Sequence, residues 1–275
     1  MVKIIDLDEL FDKYISDYVY SNIGKVKPEE IENKIPVLYA EFGNKALIEL
    51  DGKTPNGYYK DFPTEELLVV LKEHVIKGVA VSDFLCEAIE SGDLNAVKKE
   101  LGNDNPEEYT LYLMNFIDVS GNDIAADRLL DFILWDYSAP IRELATEILS
   151  KFPEKVKKRI LSSFADASGD KKACLAEILS RSDKDDETFG ALINAFTENL
   201  GSVALYAGYL GKYGDKRAIP YLEKVADDEK TDYADFEEIR FNIELLGGEY
   251  NGKRDFSADK TRKKLQGAKN TKIVG

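Results

Sequence analysis

The sequence predicts an all-α chain whose second half stacks as an α-α superhelix of helical hairpins, preceded by a divergent helical part. Three observations predict it. Apolar residues recur at the i, i+3, i+4, i+7 spacing of one helical face through most of the 275 residues. The chain holds only eight prolines and few β-branched runs, while Leu, Ala, Glu, Lys and Ile recur. From Asn105 to Gly247 the apolar stripes are short, and Gly, Pro, Ser or Asp cuts each from the next. Short amphipathic hairpins cannot bury their own apolar faces, and stacking them in succession does. A four-helix bundle would show fewer and longer stripes.

The first helix is expected from about Ile4 to Asn22, with Leu7, Leu10, Phe11, Tyr14 and Tyr18 on its inner side and Gly24 as its stop. Pro28-Glu29-Glu30 opens a second helix, since proline suits a first turn and acids suit the positive end. Pro36 interrupts or kinks it. Ala46 to Leu50 reads equally as a helix end or a short strand. Residues 51–62 form the least helical stretch, with turn signals at Asp51-Gly52, Pro55 and Asn56-Gly57. Pro63-Thr64-Glu65-Glu66 starts a clear helix that Gly78 closes. Ser82 is a candidate N-cap for the next, and a short helix follows Asp93. Gly102 to Asn105 marks a candidate boundary. Asn105 then caps a new helix with Pro106 at its first position and Glu108 at the capping-box position. Residues 1–101 thus read as a helical module or cap, 105–247 as repeats, and 248–275 as a basic, flexible tail.

Leu210 to Asp227 carries Gly214-Asp215-x-Arg217-Ala218-Ile219-Pro220. This resembles the opening of a repeat in HEAT proteins of the phycobilisome-lyase-like type. The stretch from Asp136 to Leu149, with Ile141-Arg142 and Ala145, is a weaker match. The resemblance covers about half of the chain and implies a HEAT-like α-solenoid. It also implies that Asp215 and Arg142 are structural, linking neighbouring repeats. It implies no bilin chemistry.

The net charge is −15, from 37 basic and 52 acidic side chains. So acidic a body is poorly matched to phosphate backbones and anionic membranes. From Gly248 to Gly275 the sign reverses, with eight Lys/Arg against three acids. Cys86 and Cys174 sit apart in apolar helical surroundings and read as free thiols of a reducing cytoplasm. Met1 to Asp6 lacks the apolar core of a signal peptide, and no long apolar run predicts a membrane span. His74, the one histidine, reads as a surface or boundary residue within a helix. Acid clusters at 183–187, 227–229 and 232–238 lack the EF-hand spacing and read as solvated loops and helix starts. No Walker loop, GxSxG or dinucleotide fingerprint is present. The sequence therefore offers no catalytic set, no metal ligands and no cofactor.

Three functions remain open. The first is a non-enzymatic, cytoplasmic scaffold that binds a protein or peptide partner on a helical-repeat surface. The second is a ligand-binding protein or enzyme with a pocket near residues 51–62, where Tyr58, Tyr59, Asp61 and Phe62 serve as contacts or, alternatively, plug the end of a helical core. The third is nucleic-acid contact through the tail, centred on Arg262, Lys263 and Lys264.

Overall fold

Among the described residues every regular element is helical, as the apolar spacing predicts, and no strand is present. The structure is a computed structural model that describes residues 2–23, 28–135, 137–257 and Arg262. The chain divides into two compact units, Met1–Arg128 and Leu129–Gly275.

In the first unit, helix α1 spans Leu7–Ser21, and the Asp6 carboxylate caps it by accepting from the Glu9 N–H at 2.8 Å. The expected stop, Gly24, lies outside the described residues. Helices α2 (Pro28–Glu32) and α3 (Ile35–Gly43) replace one interrupted helix, because Pro36 falls in a first turn, where its missing N–H costs nothing. Phe11, Tyr39, Phe42 and Phe84 then meet, with Phe11–Phe42 centroids 5.3 Å apart and Tyr39 stacked on Phe84 at 5.1 Å. A 3-10 turn at Ile48–Leu50 resolves the open choice at residues 46–50. It ends with Asp51 and Gly52 in the left-handed region, at φ 55° and 82°.

Residues 51–62 differ from expectation. They fold as helix α4 (Pro55–Tyr58) followed by a 3-10 turn at Tyr59–Asp61. Pro55 presets the first turn, and Asn56-Gly57 lies inside the helix instead of forming a turn. Helices α5 (Thr64–Lys77), α6 (Asp83–Glu90), α7 (Leu94–Leu101) and α8 (Glu107–Val119) complete the unit. Each pair within α5–α8 packs together except α6 with α7. The start of α8 is one residue later than the sequence predicts. Pro106 occupies the cap position, and Asn105 instead donates to the Glu100 carbonyl and accepts from Lys72 at 2.7 Å. His74 is also a correction. It is 1% exposed, and its Nδ1 and Nε2 lie 2.8 and 3.2 Å from the Val70 and Ile5 carbonyls. Both neighbours are carbonyl oxygens, so a ring nitrogen that carries a proton donates to the one it faces.

Helix α9 (Ala126–Leu134) runs across the division, and the second unit continues with α10 (Ala139–Leu149), α11 (Pro153–Phe164) and α12 (Gly169–Leu179). Helices α13 (Asp186–Glu198), α14 (Val203–Tyr213), α15 (Ile219–Ala226) and α16 (Tyr233–Leu245) follow. Here α10 packs on α12, α12 on α14, and α14 on α16, while α11 packs on α13. The first residues of these even helices, Ala139, Gly169, Val203 and Tyr233, recur every 30 to 34 residues. Cations bridge the layers. Lys157 of α11 pairs with Asp185, the cap of α13, and donates to the Asp183 carbonyl at 2.6 Å. Arg217 reaches both Asp215 at 2.8 Å and Asp186 at 2.7 Å.

Glycine decides how closely α14 meets α16. A Cβ on Gly211 would fall within contact distance of Asn242 Oδ1 and 2.8 Å from its Cγ. Asn242 is buried and anchored through Nδ2 to Glu238. Alanine in a helix interior normally gains about 1 kcal/mol over glycine, whereas overpacking costs ~1–3 kcal/mol. Gly211→Ala is therefore expected to lower stability in urea denaturation, and Gly211→Ala/Asn242→Ala to recover part of the loss. A Gly211→Ala variant more stable than the parent would contradict this packing.

Candidate functional site

The even helices of the second unit present one outer face. On α16, Glu238, Phe241 and Leu245 fall at i, i+3 and i+7, so they share a side. Phe241 is 57% and Leu245 59% exposed, and Leu205 on α14 is 46% exposed. Exposed aromatic and aliphatic side chains gathered on one face mark interaction sites more often than scattered ones do. A depression of about 480 Å³ runs between α14 and α16, bounded by Leu205, Gly208, Tyr209, Lys212 and Glu238. A second, of about 460 Å³, lies between α10 and α12 and is bounded by Glu143, Glu147, Cys174, Glu177 and Arg181.

The electrostatics of this face leave negative charge unpaired. Glu177 is shared by Arg181 at 3.8 Å and Lys212 at 3.7 Å, which links α12 to α14. Glu143, Glu147 and Glu238 form no ion pair among the described residues. The Cys174 thiol is pushed up by burial. At Cys86, in the first unit, burial and the carboxylates of Glu90, Asp83 and Asp8 push the thiol up to about 12. A thiol held protonated is a poor nucleophile. Among the described residues no group of three or more His, Cys, Asp or Glu is placed to hold a metal ion, and no helix is long and apolar enough to cross a membrane.

The residues singled out near 51–62 fall into two groups. Tyr58 and Tyr59 are turned inward, at 3% and 1% exposure, with their rings edge to face at 5.1 Å. The Tyr58 hydroxyl accepts from the Lys3 N–H at 3.2 Å. Asp61 stays exposed and pairs with Lys53 at 2.6 Å, while Phe62 is half-buried against Tyr58. These contacts are all internal to the first unit.

In the tail, Arg262 lies over the Tyr233 ring at 5.8 Å, whereas Lys263 and Lys264 lie outside the described residues. Residues 249–257 form a strap. Tyr250 donates to Asp227 at 2.6 Å. Arg254 donates to the carbonyls of Ala226, Asp228 (2.7 Å), Glu229 and Thr231 (2.9 Å). Phe256 is buried against Phe236, with centroids 4.8 Å apart. The sequence counts Arg254 among the tail cations, yet here it satisfies the carbonyls at the end of α15. The even-helix face was not singled out in the sequence. Its signal was Phe241 and Leu245, which lie outside the Phe236, Ile239, Ile243 stripe of the same helix.

Compared with protein-family models, curated proteins and solved structures, the chain matches none of them.

Two outcomes follow from these contacts. Neither native thiol is expected to react readily with a disulfide reagent at mildly alkaline pH, and both should react once urea unfolds the chain. Fast modification of the native chain would contradict the raised pKa of the half-buried Cys86 and Cys174 thiols. Phe256→Ala is expected to cost ~3–5 kcal/mol by loss of burial and cavity formation, read as a lower urea midpoint. Unchanged stability would show that the strap does not hold.

Proposed function

We propose that the chain is a HEAT-like α-solenoid protein and a non-enzymatic scaffold. Its occupant is a basic, amphipathic helical segment of a protein partner, seated on the face of α10, α12, α14 and α16. The observation that carries this reading is the exposed Leu205, Phe241 and Leu245 on α14 and α16, with Glu238 on the same side of α16, and with Glu143 and Glu147 of α10, which like Glu238 form no ion pair among the described residues. Exposed apolar side chains on a face that also carries carboxylates without ion pairs complement a helix with apolar anchors and flanking Lys or Arg. The solenoid part of the reading draws support from the packing of each even helix on the next and from the 30 to 34 residue recurrence of their starts. The Gly214–Pro220 motif supports it too, since its Arg217 joins Asp215 to Asp186. The net charge of −15 favours a cationic partner over nucleic acid.

The alternative pocket at 51–62 is less well supported, because Tyr58 and Tyr59 are buried in the first unit. Contact with nucleic acid through the tail is weakened by the engagement of Arg254 with four backbone carbonyls.

The test is an anisotropy titration with a labelled helical peptide of leucine and lysine, against its leucine and glutamate counterpart. The basic peptide is expected to bind and the acidic one not. Phe241→Asp and Leu245→Asp should each weaken binding about tenfold, or ~1.4 kcal/mol, without lowering the melting temperature. Ile48→Asp, at a position 91% exposed in the first unit, should leave binding unchanged. Equal binding by all three variants would overturn the assignment of this face.

A further inference from the structure

A cleft of about 380 Å³ lies in the second unit, away from the even-helix face, where the connection from α13 to α14 meets that from α15 to α16. Its apolar wall is Leu200, Val203, Tyr221 and Val225. Leu200 and Tyr221 are 55% and 42% exposed, a solvent contact that an apolar occupant would relieve. The volume is that of a small-molecule site, and its mixed lining fits one.

The charged groups at the rim, including Lys224 and Lys230, form no ion pairs among the described residues. Asp235 is half-buried, and its carboxylate has neither a cation nor a hydrogen-bond donor there. Burial and the neighbouring Asp232 push that carboxyl up, the signature of a negative charge lacking a partner. Asp228 also lines the cleft, and its carboxylate accepts from the Lys230 backbone N–H at 2.9 Å, so it is less free to engage a ligand than Asp235. The wall from 228 to 231 is fixed from behind. Arg254 of the strap holds three of its carbonyls, and the Thr231 hydroxyl donates to Val225.

Two ammonium groups and two carboxylates without ion pairs, of which Asp228 is engaged by a backbone N–H and Asp235 by no donor, together with an apolar wall call for a ligand with an anionic head, a cationic group and an apolar body. We propose that this cleft binds a small zwitterion with an apolar side chain, an α-amino acid of the aromatic or branched aliphatic kind. Lys224 and Lys230 hold its carboxylate, Asp235 holds its ammonium group, and Leu200, Val203 and Tyr221 cover its side chain. A simple organic anion would leave Asp235 uncompensated and set its charge beside a carboxylate. A simple amine would leave both lysines unused.

The experiment is a titration of the full chain, followed by amide NMR shifts. The probes are L-phenylalanine, L-leucine, 3-phenylpropionate (no ammonium), phenethylamine (no carboxylate) and glycine (no apolar body). L-phenylalanine or L-leucine is expected to bind, with shifts centred on residues 197–235. The three incomplete probes should bind at least about tenfold more weakly. Asp235→Asn is expected to abolish the preference for L-phenylalanine over 3-phenylpropionate while leaving the urea midpoint unchanged. Lys224→Ala/Lys230→Ala should abolish the preference over phenethylamine. Either 3-phenylpropionate or phenethylamine binding as tightly as L-phenylalanine would overturn the proposal. So would the absence of shifts with both amino acids, or a preference that survives Asp235→Asn.

Discussion

The second unit rests on one constraint: helices of two to four turns cannot hold themselves in water, so each must be covered by a neighbour and a second neighbour. Helix α14 shows what this requires. It packs on α12 and α16, and also on α13, and it buries Tyr206, Ala207, Tyr209, Leu210 and Tyr213. The approach to α16 is possible because Gly211 has no side chain where Asn242 stands. The even-helix face follows from the same geometry. A helix covered on three sides turns its remaining side to solvent, and on α14 and α16 that side carries Leu205, Phe241 and Leu245.

Charged groups arrange the ends of the helices more than they stabilise the unit. The Lys157–Asp185 and Arg217–Asp186 contacts join successive helical pairs at their starts, with Asp186 almost fully exposed. The Arg217–Asp186 pair is exposed enough to contribute little energy, so its role is registry, whereas the Lys157 side chain of the other pair is only 13% exposed. Hydrogen bonding to Lys157 and Thr188 holds the Asp185 carboxyl below its usual range. Its small contribution is therefore present above the unfolded carboxyl range and is lost as pH falls through the lowered folded value. Arg254 acts differently, because it donates to the Ala226 carbonyl at the end of α15 and to the carbonyls of Asp228, Glu229 and Thr231 in the connection that follows.

Much of the fold was legible in the sequence because periodicity reports burial directly. The stripes at Ile141, Ala145, Ile148 and Leu149 and at Leu192, Ile193 and Phe196 are buried as their spacing requires. Local signals failed where a tertiary contact competed with them. Asn105 has the residue type of a cap, but Lys72 and the Glu100 carbonyl engage its side chain, and Pro106 takes the position. Asn56-Gly57 has the form of a turn, but the inward pull of Tyr58 and Tyr59 keeps it helical. His74 is buried because a carbonyl at Ile5, 69 residues away, faces its ring. The cleft at Lys224 and Asp235 could not be read at all. Its walls come from separated connections, and nothing in the order of residues says that they meet.

The layered order of the second unit is tested most directly by amide hydrogen exchange on the full-length Gly211→Ala variant. If stability is a sum over neighbouring helices, protection should fall in α14, α16 and the intervening α15 while α10 and α11 keep theirs. A uniform loss of protection from α10 to α16 would contradict a nearest-neighbour stack and indicate a single cooperative core.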